Sequence, residues 1–330
     1  MKKDQLKAFG QKVYLEWAKL GKKVSEKYEA DIFVYNGAFY EPFDYDFYKL
    51  CNNPGRKKNA YLILYTYGGD PNVAYRIGSF LQQFYEKLYI CIPFKCRSAG
   101  TILTIAADSI IMFDTGDIGP IDVQMLKPDE IGERDSGLTL MKALETIKTD
   151  AIDTVVNAIL SLRNETGFQI STKAAIECSH TITIGLFGEL FAQIDPMRLG
   201  ETIRSLQLGK EYAIRLNYKP RNLKSGAIER LVNAFPSHTF IINRKEAEGL
   251  FEDIHQPETI EIDLIDSLGT TATTIGYNNN NTIYFKVDIN YEEPNKIGDS
   301  NGQPTARNTA KKRSGDSKPT ENGEGKRSAN

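Results

Sequence analysis

Apolar and polar positions fall into three regimes along the chain. In a mostly polar stretch near the start, Leu6, Val13, Trp17 and Leu20 recur at near-helical spacing, which predicts a helix over 4–29. Asp31-Ile32-Phe33-Val34-Tyr35 then predicts a strand, closed by Asn36-Gly37, and Asn52-Asn53-Pro54-Gly55 marks a turn. Tyr61 to Thr66 is a continuous apolar run, the mark of a strand buried on both faces. Gly68-Gly69-Asp70-Pro71 ends it, and Val73, Ile77, Leu81 and Phe84 place a helix on one stripe. Leu88 to Pro93 predicts the next strand, Ser98 to Ala107 a helix of small residues, and Ser109 to Phe113 a further strand. This βαβαβ alternation predicts an α/β fold with a parallel sheet and crossover helices.

Beyond Leu138 the period changes to that of long helices. Leu140, Leu144, Ile147, Ala151, Val155, Ile159 and Leu162 form one apolar stripe over 138–164. Helices over 172–193 and 199–217 follow, separated at Pro196, and Phe235 to Ile242 reads as a turn into a strand. Between 246 and 290 only a late strand over Thr282 to Ile289, preceded by the polar loop Asn278 to Asn281, stands out. After Tyr291 large apolar residues almost vanish, which predicts a disordered tail, with Lys311-Lys312-Arg313 as a solvated run. The expected organisation is an N-terminal helix at 1–29, an α/β domain with a helical extension at 30–290, and a tail at 291–330.

Composition narrows the classes. The chain has 330 residues, 41% hydrophobic and 25% charged, with a net charge of −2. That balance gives no bulk attraction to nucleic acid or to anionic membranes. The N-terminus is not followed by an apolar signal segment, and the longest apolar region, Ala99 to Phe113, is broken by Asp108 and too short to span a bilayer. The expectation is a cytoplasmic protein with no membrane insertion. The four cysteines, Cys51, Cys91, Cys96 and Cys178, form no CxxC pair, so neither a metal site nor a disulfide scaffold is expected. Cys91 and Cys96 read as core residues.

Chemistry concentrates at Ser98. A Ser opening a helix is ordinarily an N-cap, its oxygen accepting from an unpaired helix N–H. Here it also follows a buried strand and precedes Ala99-Gly100-Thr101, small residues that let a substrate backbone approach. Gly68-Gly69 ends the preceding strand and can present N–H groups without side-chain obstruction. In a parallel sheet both strand ends lie at the edge where α/β ligand sites form.

Several segments together resemble a known family. They are Tyr67-Gly68-Gly69-Asp70, Lys95-Cys96-Arg97-Ser98-Ala99-Gly100-Thr101, Ala106-Ala107-Asp108-Ser109-Ile110-Ile111-Met112 and Ile118-Gly119-Pro120-Ile121-Asp122-Val123-Gln124. Phe191 to Pro196, Pro236-Ser237-His238 and Lys245-Glu246-Ala247 extend the pattern, so that it covers roughly residues 30–250. The joint pattern resembles the serine dehydrogenase proteinase family, Clp-fold serine proteinases related to the signal peptide peptidase A type and to the Clp proteolytic subunit. The resemblance implies a Clp-protease/crotonase-like fold, Ser98 as nucleophile, an oxyanion hole from the N–H groups of Gly69 and Ala99, a protein or peptide substrate, no cofactor, and assembly into a homo-oligomer.

The proton acceptor departs from the Clp subunit pattern, because no His lies in the stretch after Ser98 where that pattern has one. A serine needs a partner to lose its proton. One candidate is a lysine, Lys148 or Lys142, which acts as a base only when burial depresses its pKa. The other is a histidine; of His180, His238 and His255, His238 lies in the segment that shares the family pattern. Asp122 reads either as orienting the base or as a turn residue. Two rival functions remain open on the sequence: a crotonase-like acyl-coenzyme A enzyme, and an inactive scaffold in which Ser98 only caps a helix.

Overall fold

The continuous apolar runs become the middle of a mixed sheet. The computed structural model describes residues 11–121, 124–126, 134–237, 239–273 and 282–291. In it, β1 (Ala30–Asn36), β2 (Asn59–Tyr65), β3 (Leu88–Ile92) and, after the two-residue β4 (Lys95–Cys96), β5 (Ser109–Met112) run in the chain order of a parallel α/β fold. Short β6 (Asp117–Ile118), β7 (Gln124–Leu126), β8 (Arg134–Ser136), β9 (Ile242–Asn243), β10 (Ile254–His255) and β11 (Ile283–Lys286) complete the described strands. The six-stranded sheet has the order β10-β5-β3-β2-β1-β11, and only β11, on β1, is antiparallel. A second sheet, β4-β6-β9, stands beyond the ends of β2 and β3.

Parallel neighbours need crossovers, and helices supply them. Helix α1 (Gln11–Tyr28) precedes β1, α2 (Phe43–Cys51) joins β1 to β2, and α3 (Pro71–Phe84) joins β2 to β3. The start of α3 is fixed by its sequence: Pro71 takes the first turn and the Asp70 carboxylate accepts from the Asn72 N–H at 2.8 Å. Helix α4 (Ala99–Thr104) leads to β5. It is shorter than the expected Ser98–Ala107 helix, because the chain turns at Ile105 to Asp108 to begin β5. The long helices α5 (Gly137–Glu165), α6 (Thr172–Ala192) and α7 (Pro196–Asn217) fall where the helical period predicts them. They are followed by α8 (Ala227–Asn233), α9 (Arg244–Ala247), α10 (Thr259–Leu268) and α11 (Thr270–Thr273). The expected N-terminal helix begins outside the described residues, and all of the 291–330 tail but Tyr291 lies outside them; the described residues belong to one compact unit.

Alternation along each strand feeds two cores. Phe33, Tyr35, Leu62, Leu64, Ile90, Ile92, Ile110 and Met112 pack on one side with Val73, Ile77 and Leu81 of α3 and Ile102 and Leu103 of α4. Ile32, Val34, Tyr61, Ile63, Cys91 and Ile111 pack on the other with Tyr14 and Trp17 of α1 and Leu264 and Leu268 of α10. Every residue of β1 and β2 is buried, which is why those runs do not alternate with polar residues. Cys51, Cys91 and Cys96 lie in these cores, where burial pushes each thiol up to about 12, while Cys178 is exposed. Thiol-reactive dye should therefore label Cys178 in the native protein and reach the other three only on unfolding. Fast native labelling of more than one cysteine per chain would contradict this packing.

Trp17 ties the first described helix to the last described strand. Its ring stacks on Phe285 of β11 at 5.9 Å, and its indole N–H donates to the Ser267 carbonyl at 2.8 Å. It is the sole tryptophan, so its emission reports this junction directly. Trp17→Ala is expected to destabilise the fold by about 3–5 kcal/mol, the range for removing a large buried aromatic. A loss below about 1 kcal/mol in denaturant titrations would show that α1 is not integral to the second core.

Candidate active site

Two backbone hydrogen bonds set the site. The Thr66 N–H donates to the Lys95 carbonyl at 2.8 Å, and the Arg97 N–H donates to the Thr66 carbonyl at 3.1 Å. This pairing past the end of β2 lays Gly68 directly against Ser98. A Cβ added to Gly68 would meet the Ser98 Cβ at 2.8 Å and its Oγ at 3.3 Å. Gly68 has φ +110 and its N–H donates to the Thr66 hydroxyl at 2.9 Å, so both conformation and space require glycine there.

Gly69 is required for a different reason. Its φ is +136, and a Cβ would meet the Phe39 carbonyl oxygen at 2.4 Å. The Gly68 carbonyl accepts from the Phe39 N–H at 2.9 Å, and the Phe39 carbonyl accepts from the Asp70 N–H at 2.9 Å. These bonds leave the Gly69 N–H outside the pairing. Among the described residues no protein acceptor takes the N–H of Gly69 or that of Ala99.

Ser98 sits at φ 53 and ψ −115 and is half-buried. A β-carbon at that φ is strained by about 1–3 kcal/mol, a cost that proteins concentrate at functional positions. The side chain makes no capping hydrogen bond to α4. The capping role weighed from the sequence is thus not the one this hydroxyl plays. The residues around it are fixed instead by their own bonds. The Thr101 hydroxyl donates to the Gly119 carbonyl at 2.8 Å and accepts from the Gly119 N–H at 3.3 Å. Arg97 holds Asp117 bidentately, its Nε and Nη2 donating to the two carboxylate oxygens at 2.7 and 3.0 Å. Gly100 is packed against Thr66 and Cys96 so closely that a Cβ would meet the Thr66 Cγ2 at 2.4 Å.

Among the described residues no hydrogen bond joins the Ser98 side chain to a lysine or histidine. Lys148 and Lys142 are exposed on α5, and the Lys142 Nζ donates to the Phe235 carbonyl at 3.4 Å. The desolvation that would make either lysine a base is therefore missing in a single copy. His238 and Asp122 lie outside the described residues. His180 is exposed on α6, and His255 is exposed on β10 with its Nδ1 3.3 Å from Asp253.

The structure adds a pair that the sequence reading passed over. The Lys95 Nζ donates to the Tyr67 hydroxyl at 3.0 Å and lies 5.0 Å from that ring's centroid. Tyr67 adjoins Gly68 in sequence, and Lys95 precedes Ser98 by three residues. The signal was available only through register, since Thr66 must first be set opposite Cys96. The Lys95 hydrogen bond pulls the Tyr67 phenol below its usual range, and the Arg97 charge acts in the same direction. Burial instead raises Tyr35, Tyr61 and Tyr85. In ultraviolet titration Tyr67 should ionise ahead of the buried tyrosines, and Lys95→Ala should move that component upward. An unchanged early component would rule out the pairing.

Neither a family model nor a curated protein matches this sequence. Solved structures that match include a mutant of a membrane-bound stomatin-specific protease, 16% identical, covering 45% of this chain and 69% of that one with a TM-score of 0.29. So loose a superposition assigns neither fold nor chemistry to this chain; the α/β architecture stands on the sheet itself.

Glycine replacement tests the local geometry. Gly68→Ala should cost about 1–3 kcal/mol and displace Ser98, since both strain and the 2.8 Å approach oppose the methyl group. A Gly68→Ala protein as stable as the parent would show that the two segments are not apposed.

Proposed function

We propose that the chain is a serine hydrolase of the peptidase type, with Ser98 as nucleophile. The observation that carries the reading is the strained Ser98 backbone at a strand-to-helix junction, with its hydroxyl released from capping and faced by glycine. Sharp turns of this kind present a serine Oγ to substrate in other hydrolases. In this reading Ser98 Oγ attacks a peptide carbonyl, and the N–H groups of Gly69 and Ala99 receive the developing oxyanion. Hydrogen bonds of the flanking residues hold the backbone around both donors, so little reorganisation would accompany the developing charge. The tetrahedral intermediate then expels the amine, and water releases the acyl group.

Three groups are candidates for the serine proton. Lys148 and His238 come from the family resemblance. The Tyr67–Lys95 pair comes from geometry: it adjoins Gly68, and the ammonium beside the phenol stabilises its ionised form, the form that can accept a proton. Removing the true acceptor should lower turnover by about 100-fold or more while leaving KM nearly unchanged. Tyr67→Phe, Lys148→Ala and His238→Ala measured side by side identify it. Full activity in all three variants would overturn the assignment.

The reading is tested with a fluorophosphonate probe. The wild-type chain should be labelled stoichiometrically, and Ser98→Ala should lose labelling while keeping its melting temperature nearly unchanged. A folded wild-type protein that never labels would remove the hydrolase reading and favour an acyl-coenzyme A enzyme or a scaffold.

A further inference from the structure

One cleft lies across the sheet from Ser98. Ser98 follows the ends of β2 and β3, whereas this cleft opens at the starts of β1 and β2, between the α2–β2 loop and the segment after β11. Its volume is about 560 Å³, within the range of small-molecule sites. Asp31, the second residue of β1, lines it and is only 5% exposed. One oxygen of that carboxylate is fully used. Oδ2 accepts from the Lys286 Nζ at 2.8 Å, the Tyr85 hydroxyl at 2.9 Å and the Lys57 N–H at 3.3 Å. Among the described residues no donor reaches the other oxygen, Oδ1, and it is not sealed in the core, so it opens into the cleft.

Two lysines line the same cleft with donors to spare. The Lys57 Nζ donates to the Ser25 carbonyl at 3.2 Å and meets no carboxylate among the described residues. The Lys286 ammonium is held by Asp31 alone. Lys49, at the rim, already spends its charge on Asp46 at 3.1 Å. Leu50, Val287 and Ile289 supply an apolar wall. Water satisfies an open oxygen and spare lysine donors equally well, but it gains nothing from that wall.

We propose that this cleft binds a small aliphatic zwitterion, an α-amino acid of the leucine kind or a dipeptide of such residues. Its ammonium donates to Asp31 Oδ1, its carboxylate accepts from Lys57 and Lys286, and its side chain lies on the apolar wall. The two signs of charge select this class. A simple amine would bring a third cation beside Lys57 and Lys286 with nothing to offset it. A simple anion would meet the lysines but leave Asp31 Oδ1 without a donor and close to a like charge. A zwitterion supplies a partner to each group, and charge-assisted hydrogen bonds of this kind are the strong ones. The site stands apart from the hydrolase reading, since none of its residues belongs to the Ser98 region.

The test is titration calorimetry of the full chain with L-leucine and with L-leucyl-L-leucine. Isocaproate, which lacks the ammonium, and isoamylamine, which lacks the carboxylate, serve as controls. Saturable binding of leucine or its dipeptide is expected, with both controls at least about ten-fold weaker. Asp31→Asn and Lys57→Met should each weaken binding by about ten-fold or more. Asp31 is buried in an ion pair, so its variant is read only if Trp17 emission shows it folded. Lys57→Met decides the question in either case, because that ammonium meets only a backbone carbonyl. Wild-type protein that takes up neither probe at millimolar concentration overturns the proposal. Isocaproate binding as tightly as leucine overturns it too, by making the cleft a plain anion site. Unchanged leucine affinity in Lys57→Met places the ligand elsewhere and has the same force.

Discussion

The pairing of Thr66 with Lys95 and Arg97 is the constraint on which the candidate site depends. It extends β2 beyond the main sheet and brings two loops together that the topology alone would leave only near each other. Gly68 then faces Ser98, Gly69 closes on Phe39, and Tyr67 meets Lys95. In the first two of these contacts the space left admits only a glycine. The polar bonds around Thr101, Gly119, Arg97 and Asp117 hold the second strand of the pairing in place. Strain at Ser98 persists because its neighbours over-determine the turn.

That pairing is rigid because the sheet beneath it is buried on both faces. β1 and β2 have no solvent-facing side, and the register between them runs unbroken from Ala30 with Asn59 to Asn36 with Tyr65. Strand ends therefore emerge at fixed heights, and short departures such as β4 can be aligned within one residue. The half-exposed helices α5 to α7 lack this enclosure, and their apolar surface is correspondingly open.

The sheet was legible because continuous apolar runs leave few alternatives to a doubly covered strand. The long helices were legible from their period, and α7 starts at Pro196 rather than 199 because Asp195 caps it, its carboxylate accepting from the Met197 N–H at 2.8 Å. Helices α2, α8 and α10 were not read. α2 alternates aromatic and acidic residues, Phe43-Asp44-Tyr45-Asp46-Phe47, which mimics a strand period. α8 and α10 are short and depend on packing for their existence. At the candidate site, the sequence singled out Ser98 and the glycine pair but not which glycine meets Ser98 and which meets Phe39, since Gly68 and Gly69 look alike until register is known. The strained φ of Ser98 and the Lys95–Tyr67 bond are tertiary properties with no local signature.

Trp17 joins the helix that opens the described chain to a strand that nearly ends it: the partners of its ring and N–H lie at Phe285 and Ser267. Strand β1 likewise receives its outer neighbour only from Ile283–Lys286. During synthesis α1 and β1 emerge well ahead of the segment that completes their flanking surface. The nascent domain thus carries an unpaired β1 edge through most of its synthesis, the kind of edge on which chains misassociate before closure. Contacts of such long sequence separation also carry a large loop-closure cost. The outer edge of β1 is closed only by β11, the last of the described strands, however soon β1 itself forms.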